Sequence, residues 1–380
     1  MQILPIASGK GGVGKSLLAT NLAVALAQTG KRVVLADLDL GGSNIHLMLG
    51  RMGLSQGIGT FLTNSDVAFE DIIVATDYKN LSFIPGDAEI PGTANLKSSQ
   101  KQKLIRRLRS LDADYLIMDL GAGSSFNTVD FFLISGQGIV VTDPTPTANL
   151  NAYLFLKNVI FRIMSSTFKK NTKAHEYIES LRQQGTVFQR IYVPRLIQNI
   201  KENDPDSYSR FRERAASFHP KLVLNMLEDP KDGNKAGKLR RSCKEYLDID
   251  MEHLGIIYRD SLQDVALQSR LPIISYKPQS VLSQAIYRIA DKLTQEYIEA
   301  PGPMEIEEID ESYQEAEMEA EVDFDTKMKY LEDLLNCGAL TSGDLIETIK
   351  SQQYEINQLK KENNFIKAKL VKAINAGFLE

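Results

Sequence analysis

A chain of 380 residues carrying a net charge of −5 has the composition of a soluble globular protein and is longer than one average domain. No uninterrupted apolar run reaches the ~18 residues that span a bilayer, and Met1–Ser8 lacks a basic region followed by an apolar core and cleavage site. Cys243 and Cys337, the two cysteines, stand far apart, which argues against a disulfide framework or a metal site and for a reducing cytoplasm.

From Met1 to about residue 300, short runs rich in Val, Ile and Leu alternate with helical stretches. QILPIAS, RVVLADLD, DYLIMDL, GIVVTD, KLVLNML and HLGIIY read as strands buried on both faces, because their apolar residues run on without alternating. The pattern predicts an α/β fold with a doubly wound, mostly parallel sheet over residues 1–300. Residues 160–220 break the rhythm with about sixty mostly polar residues of helical character, more than a plain crossover needs, and read as a helical insertion.

Residues 301–325 open with PGP and hold eleven acids and no base from 305 onward. Against a net charge of −5, the remainder of the chain therefore carries +6. The acidic run reads as a disordered linker, followed by a helical tail over 326–380. A heptad spans 345–373, with Ile349, Ile356, Asn363 and Leu370 at a, and Leu345, Gln352, Leu359, Ile366 and Ala373 at d. Ile at a with Leu at d favours a two-stranded parallel coil, and a buried Asn fixes its register. An amphipathic helix packed on its own domain is the alternative, as is a membrane-facing helix in the closing FIKAKLVKAINAGFLE, although Lys367 projects into its apolar arc.

Residues 9–16 match G-x-x-x-x-G-K-[ST] between an apolar strand and the helix SLLATNLAVALAQT. Glycines let successive N–H groups curl around phosphate oxygens, and the helix N-terminus adds partial positive charge. Lys15 supplies a point charge to the β- and γ-phosphates, and the Ser16 hydroxyl ligates Mg²⁺. Asp37 and Asp39 leave a strand end beside this loop, and Asp119 closes the apolar run DYLIMD in the position that holds Mg²⁺ through water.

The second lysine, Lys10 in K-G-G-x-G-K-[ST], resembles the deviant phosphate loop of the MinD/ParA family. The Asp37, Asp39, Gly41, Asn44 spacing is similar to switch I of its MinD/FlhG-like members, and VTDPTPTANLNAYLFLK (141–157) resembles a further segment of them. The resemblance implies an ATPase with ATP and Mg²⁺ as ligands. It implies nucleotide contacts from Gly9, Lys10, Gly11, Gly12, Val13, Gly14, Lys15, Ser16, Leu17, Gly123 and Asn225, and metal contacts from Ser16, Asp39 and Asp119. Lys10, Lys15 and Asp39 would be catalytic: Lys10 reaches the partner's ATP across a sandwich dimer, and Asp39 positions the hydrolytic water. Asn151 stands where the family often carries an aspartate. Asn225 has two readings, an adenine contact or a buried amide satisfied by backbone.

The partners implied are a second copy of the chain and a protein engaging the tail or the insertion, with a membrane as a further candidate. The function expected is an ATP-dependent switch that positions a cellular structure, such as a division site, a flagellum or a polar complex. Two alternatives share the loop. A ParA-type partition ATPase binds DNA nonspecifically, and the basic GKLRRSCKEY (237–246) reads more simply as a solvated helix face. An Mrp/ApbC-type iron–sulfur carrier needs a clustered cysteine pair.

Overall fold

The computed structural model describes residues 1–51, 56–86, 96–183, 191–298 and 306–336, with isolated positions beyond. The chain divides into two compact units, Met1–Phe324 and Asp325–Glu380. Among the described residues the first unit is built on eight strands: β1 (Gln2–Ala7), β2 (Val33–Leu38), β3 (Val74–Ala75), β4 (Leu81–Ile84), β5 (Tyr115–Leu120), β6 (Ile139–Thr142), β7 (Lys221–Leu227) and β8 (Glu252–Tyr258). They lie in the order β3-β4-β2-β5-β1-β6-β7-β8, parallel throughout except for the antiparallel β3–β4 pair at one edge. Every residue of β2, β5 and β6 is buried, as continuous apolar runs covered on both faces require.

The helices, in chain order, are α1 (Lys15–Gln28), α2 (Ile45–Met48), α3 (Ile58–Thr63), α4 (Ser98–Arg109), α5 (Phe126–Phe132), α6 (Pro146–Thr167), α7 (Lys173–Gln183), α8 (Val193–Asn203), α9 (Pro205–Ala215), α10 (Asn234–Leu247), α11 (Leu262–Gln268), α12 (Ile273–Tyr276), α13 (Val281–Ile298) and α14 (Ile306–Asn336). Two hydrophobic clusters cover the sheet faces. One is centred on α1 and α13 (Leu22, Leu26, Ile286, Leu293), and the other on α6 with its neighbours (Phe155, Val159, Met164, Leu239). The sheet and its two helical layers make a doubly wound α/β fold. No helix among the described residues is long and apolar enough to cross a membrane.

Helices α7, α8 and α9 lie between α6 and β7. They bury Ile178, Leu196, Ile200 and Phe211 against the α6 side, with the Phe168 and Phe211 rings 6.3 Å apart. Asp204 ties them together: one carboxylate oxygen accepts from the Ala174 N–H at the start of α7 (3.1 Å), the other from Ser207 N–H in α9 (3.1 Å).

The acidic run is not a disordered linker. It forms the first part of α14, and residues 310–324 pack within the first unit. Tyr313, Ala316 and Ala320 recur at helical spacing and are buried. The Tyr313 ring stacks on His253 of β8 at 5.0 Å, and the Tyr258 hydroxyl donates to the Ala320 carbonyl (2.8 Å). The acids are neutralised in place: Asp310 pairs with Arg240 (2.7 Å), Glu319 with Lys292 (3.0 Å), and Asp323 with Arg288. Composition suggests a solvated strip, but a small-residue stripe and three opposing cations supply what it needs to dock. The heptad at 345–373 and the closing amphipathic segment fall outside the described residues.

Candidate nucleotide site

The site lies at the C-terminal ends of the central strands, where β1 is flanked by β5 on one side and β6 on the other. Chain connections run outward in both directions from there, the crevice in which open α/β sheets receive ligands. The loop after β1 turns through Gly12 (φ 80°) and Gly14 (φ 86°), left-handed conformations that favour glycine. Gly14 is also the N-cap of α1, which begins with no side-chain cap, so its first N–H groups point out of the helix toward the loop.

Two neighbours hold the loop's shape. The Asn225 amide at the end of β7 donates to the Val13 carbonyl (2.8 Å), and a Cβ at Gly14 would lie 2.2 Å from that amide nitrogen. The Asn225 amide N–H is thus engaged by backbone, the contact that the second of its two readings expects. At the other end, Gly9 presses on α6: a Cβ there would sit 2.1 Å from the Asn151 carbonyl. Asn151 meets the loop through its backbone. The loop after β5 is attached as well, since Gly123 N–H donates to the Ser8 carbonyl (2.9 Å) and Gly123 has φ 83°.

The carboxylates converge because of strand register. Asp37 stands opposite Asp119 across the parallel β2–β5 ladder, and both are buried. Burial pushes Asp119 up to about 7; Lys15 and a hydrogen bond from Ser16 pull it down, while Asp37 and Asp39 raise it further. Burial likewise pushes Asp37 up to about 6, against hydrogen bonds from Ser43, Ile45 and Asp39. Asp37 pins the segment after β2: it accepts from Ser43 Oγ (2.6 Å), Asp39 N–H (3.2 Å) and Ile45 N–H (3.4 Å). Ser43 received no role in the sequence reading, although a hydroxyl six residues past Asp37 was the available signal.

Asp39 is half-buried and lies over Gly121, where a Cβ would come within 3.2 Å of its Oδ1. Asp119 Oδ1 is buried with no hydrogen-bond partner. A buried orphan oxygen beside the Ser16 hydroxyl, in an oxygen-only donor set, fits a hard divalent cation. Lys15 is buried, whereas Lys10 keeps 41% of its side chain exposed and lies 3.8 Å from Asp143 Oδ2. Asp143 was also passed over in the sequence, where nothing distinguishes it from other strand-end carboxylates.

Comparison with known proteins fits this geometry. A family model described as "ParA: NUBPL iron-transfer P-loop NTPase" matches residues 1–161. Over those residues the chain is similar to the ParA-family P-loop NTPases. Among its relatives, the antiactivator FleN of Pseudomonas aeruginosa is 24% identical over 301 residues, covering 77% of this chain and 86% of FleN. The flagellum site-determining protein YlxH of Helicobacter pylori is 27% identical over 265 residues, covering 62% of this chain and 87% of YlxH. The fold matches the septum site-determining protein MinD of Pyrococcus horikoshii, solved with Mg-ADP, at a TM-score of 0.52 and 20% identity over 77% of this chain and 95% of that one.

Of the two cysteines an iron–sulfur carrier could use, Cys337 lies outside the described residues. Cys243 is fully buried in α10, and burial pushes its thiol up to about 12. In the basic stretch of α10, Arg240 pairs with Asp310, and Lys244 with Asp250 (2.7 Å) and Asp248 (3.6 Å). Those cations are engaged within the chain.

Proposed function

We propose that this chain is an ATP-dependent dimerising switch of the MinD/FlhG type, hydrolysing ATP to ADP and phosphate to control where a cellular structure is built. The observation that carries the reading is the convergence of a P-loop, a buried carboxylate with an orphaned oxygen, and a second lysine left half in solvent. The family resemblance of the switch segment and the likeness to FleN and YlxH favour a flagellar or polar structure over DNA partition.

In this reading the N–H groups of the 9–16 loop cradle the α- and β-phosphates, and Lys15 meets the β- and γ-phosphates. Ser16 and Asp119 would hold Mg²⁺, which would supply neutralising charge to the phosphate oxygens. Gly123, whose N–H donates to the Ser8 carbonyl, would exchange that bond for the γ-phosphate when nucleotide binds. Asp39, free of the hydrogen bonds that occupy Asp37, orients the attacking water. Lys10 crosses to the partner's nucleotide. Release of the γ-phosphate then loosens the segments after Asp39 and Asp119, and the dimer with them.

An Asp39→Ala chain should bind Mg-ATP and remain dimeric far longer than the wild type in a light-scattering time course. Equal dimer lifetimes would remove Asp39 from the hydrolytic step.

A further inference from the structure

Lys10 is not idle within a single chain. The β1–β6 register sets Ile6 opposite Ile139 and Ala7 opposite Val140, so the residues that follow the two strands run side by side and bring Lys10 to Asp143. The Asp143 carboxylate is divided between two tasks. Its Oδ1 accepts from Thr145 N–H (2.8 Å) and from the Thr145 hydroxyl, leaving Oδ2 turned toward Lys10 Nζ at 3.8 Å. Asp143 is buried, and Thr145 also caps α6 by accepting from Ala148 N–H (3.3 Å), with Pro146 in the first turn. The acceptor is therefore held rigidly, while the lysine is flexible and half in solvent.

Resting on the dimer reading above, we propose that Asp143 is a positioning residue that holds Lys10 in cis, so that dimer formation must exchange this ion pair for the partner's phosphate. A partly exposed pair of this kind opposes its own rupture by roughly two- to fivefold. Two-fold symmetry breaks two such pairs per dimer, so the combined opposition is about four- to twenty-five-fold in the dissociation constant. The pair thereby sets the protein concentration at which ATP drives association, and it keeps the lysine away from its own loop meanwhile.

The first measurement needs no variant. A carbodiimide joins an amine to an adjacent carboxylate with no spacer. On the wild-type chain in EDTA it should yield a Lys10–Asp143 cross-link, found by peptide mass spectrometry. Mixing isotope-labelled with unlabelled chains should show that this link lies within one molecule. It should fade when Mg²⁺ and a non-hydrolysable ATP analogue bring chains together. No such link, or a link that persists undiminished in the dimer, overturns the proposal.

The second measurement is the midpoint of analogue-driven dimerisation by sedimentation velocity. Asp143→Asn retains an oxygen for the Thr145 N–H and should shift that midpoint about four- to twenty-five-fold lower, while Asp143→Glu should stay near the wild type. An Asp143→Asn midpoint equal to or above the wild type overturns the exchange. If the cross-link forms but no chain dimerises, the exchange is again overturned, and the failure then lies with the dimer reading rather than with the cis pair.

Discussion

Replacing Asp119 with Asn should stabilise the chain in the absence of nucleotide, and the gain should vanish in acid. The carboxyl titrates at about 7 in the fold against 3.8 for its unperturbed value, chiefly because burial disfavours the anion. A folded-state value raised above the unfolded one means the fold takes up the proton more readily than the open chain. The resulting cost is fully present above pH 7, shrinks as pH falls, and is gone below 3.8. About 3 pH units at ~1.4 kcal/mol each set a ceiling of about 4 kcal/mol. Local relaxation and coupling to Asp37 across the ladder bring the expected gain to ~2 kcal/mol. Urea denaturation in EDTA at pH 8 and pH 5 measures this, with Asp119→Asn more resistant than the wild type at pH 8 and the gap narrowing at pH 5. Adding Mg-ADP at pH 8 should reverse the order, because only the wild type offers the anionic oxygen a dication requires. An Asp119→Asn chain less stable than the wild type at pH 8, or a gap that widens in acid, would refute the argument that burial strains this carboxylate.

Asn225→Ala should weaken binding of Mg-ADP and Mg-GDP by similar factors in calorimetric titrations, since Asn225 acts through the Val13 carbonyl; a loss confined to the adenine nucleotide would restore the base-contact reading. Gly9→Ala should lower stability by ~1–3 kcal/mol, because the added methyl overlaps the Asn151 backbone, and an unchanged melting temperature would contradict that contact. Tyr313→Ala removes the ring that stacks on His253 and has the guanidinium of Arg240 4.7 Å from its centroid. It should cost about 3 kcal/mol in urea denaturation, and no loss would mean that residues 310–324 contribute nothing to the fold.

Six of the eight strands were legible because their apolar runs are continuous and long enough to be read without a partner. The two missed, β3 and β4, form the antiparallel edge. Four residues of β4 follow Asn80, whose left-handed backbone (φ 66°) looks in the sequence like any turn residue. The acidic run was misjudged because charge density outweighed spacing: the Tyr313, Ala316, Ala320 stripe is visible, but its receptor, formed by His253, Tyr258, Arg288 and Lys292, is scattered over 40 residues. At the site, the loop and the strand-end aspartates carry their own signals. The division of labour between Asp37 and Asp39 does not, since it depends on where the Ser43 hydroxyl folds back. Asp143 becomes visible only through the pairing of β1 with β6.

The account stands or falls on whether residues 9–16 take a triphosphate with its metal and so join two chains. Sedimentation velocity of the purified wild type should show a monomer in EDTA with ATP and a dimer once Mg²⁺ is supplied, with Lys15→Ala monomeric in both. A chain that neither binds adenine nucleotide nor changes its sedimentation when Mg²⁺ is added would contradict it.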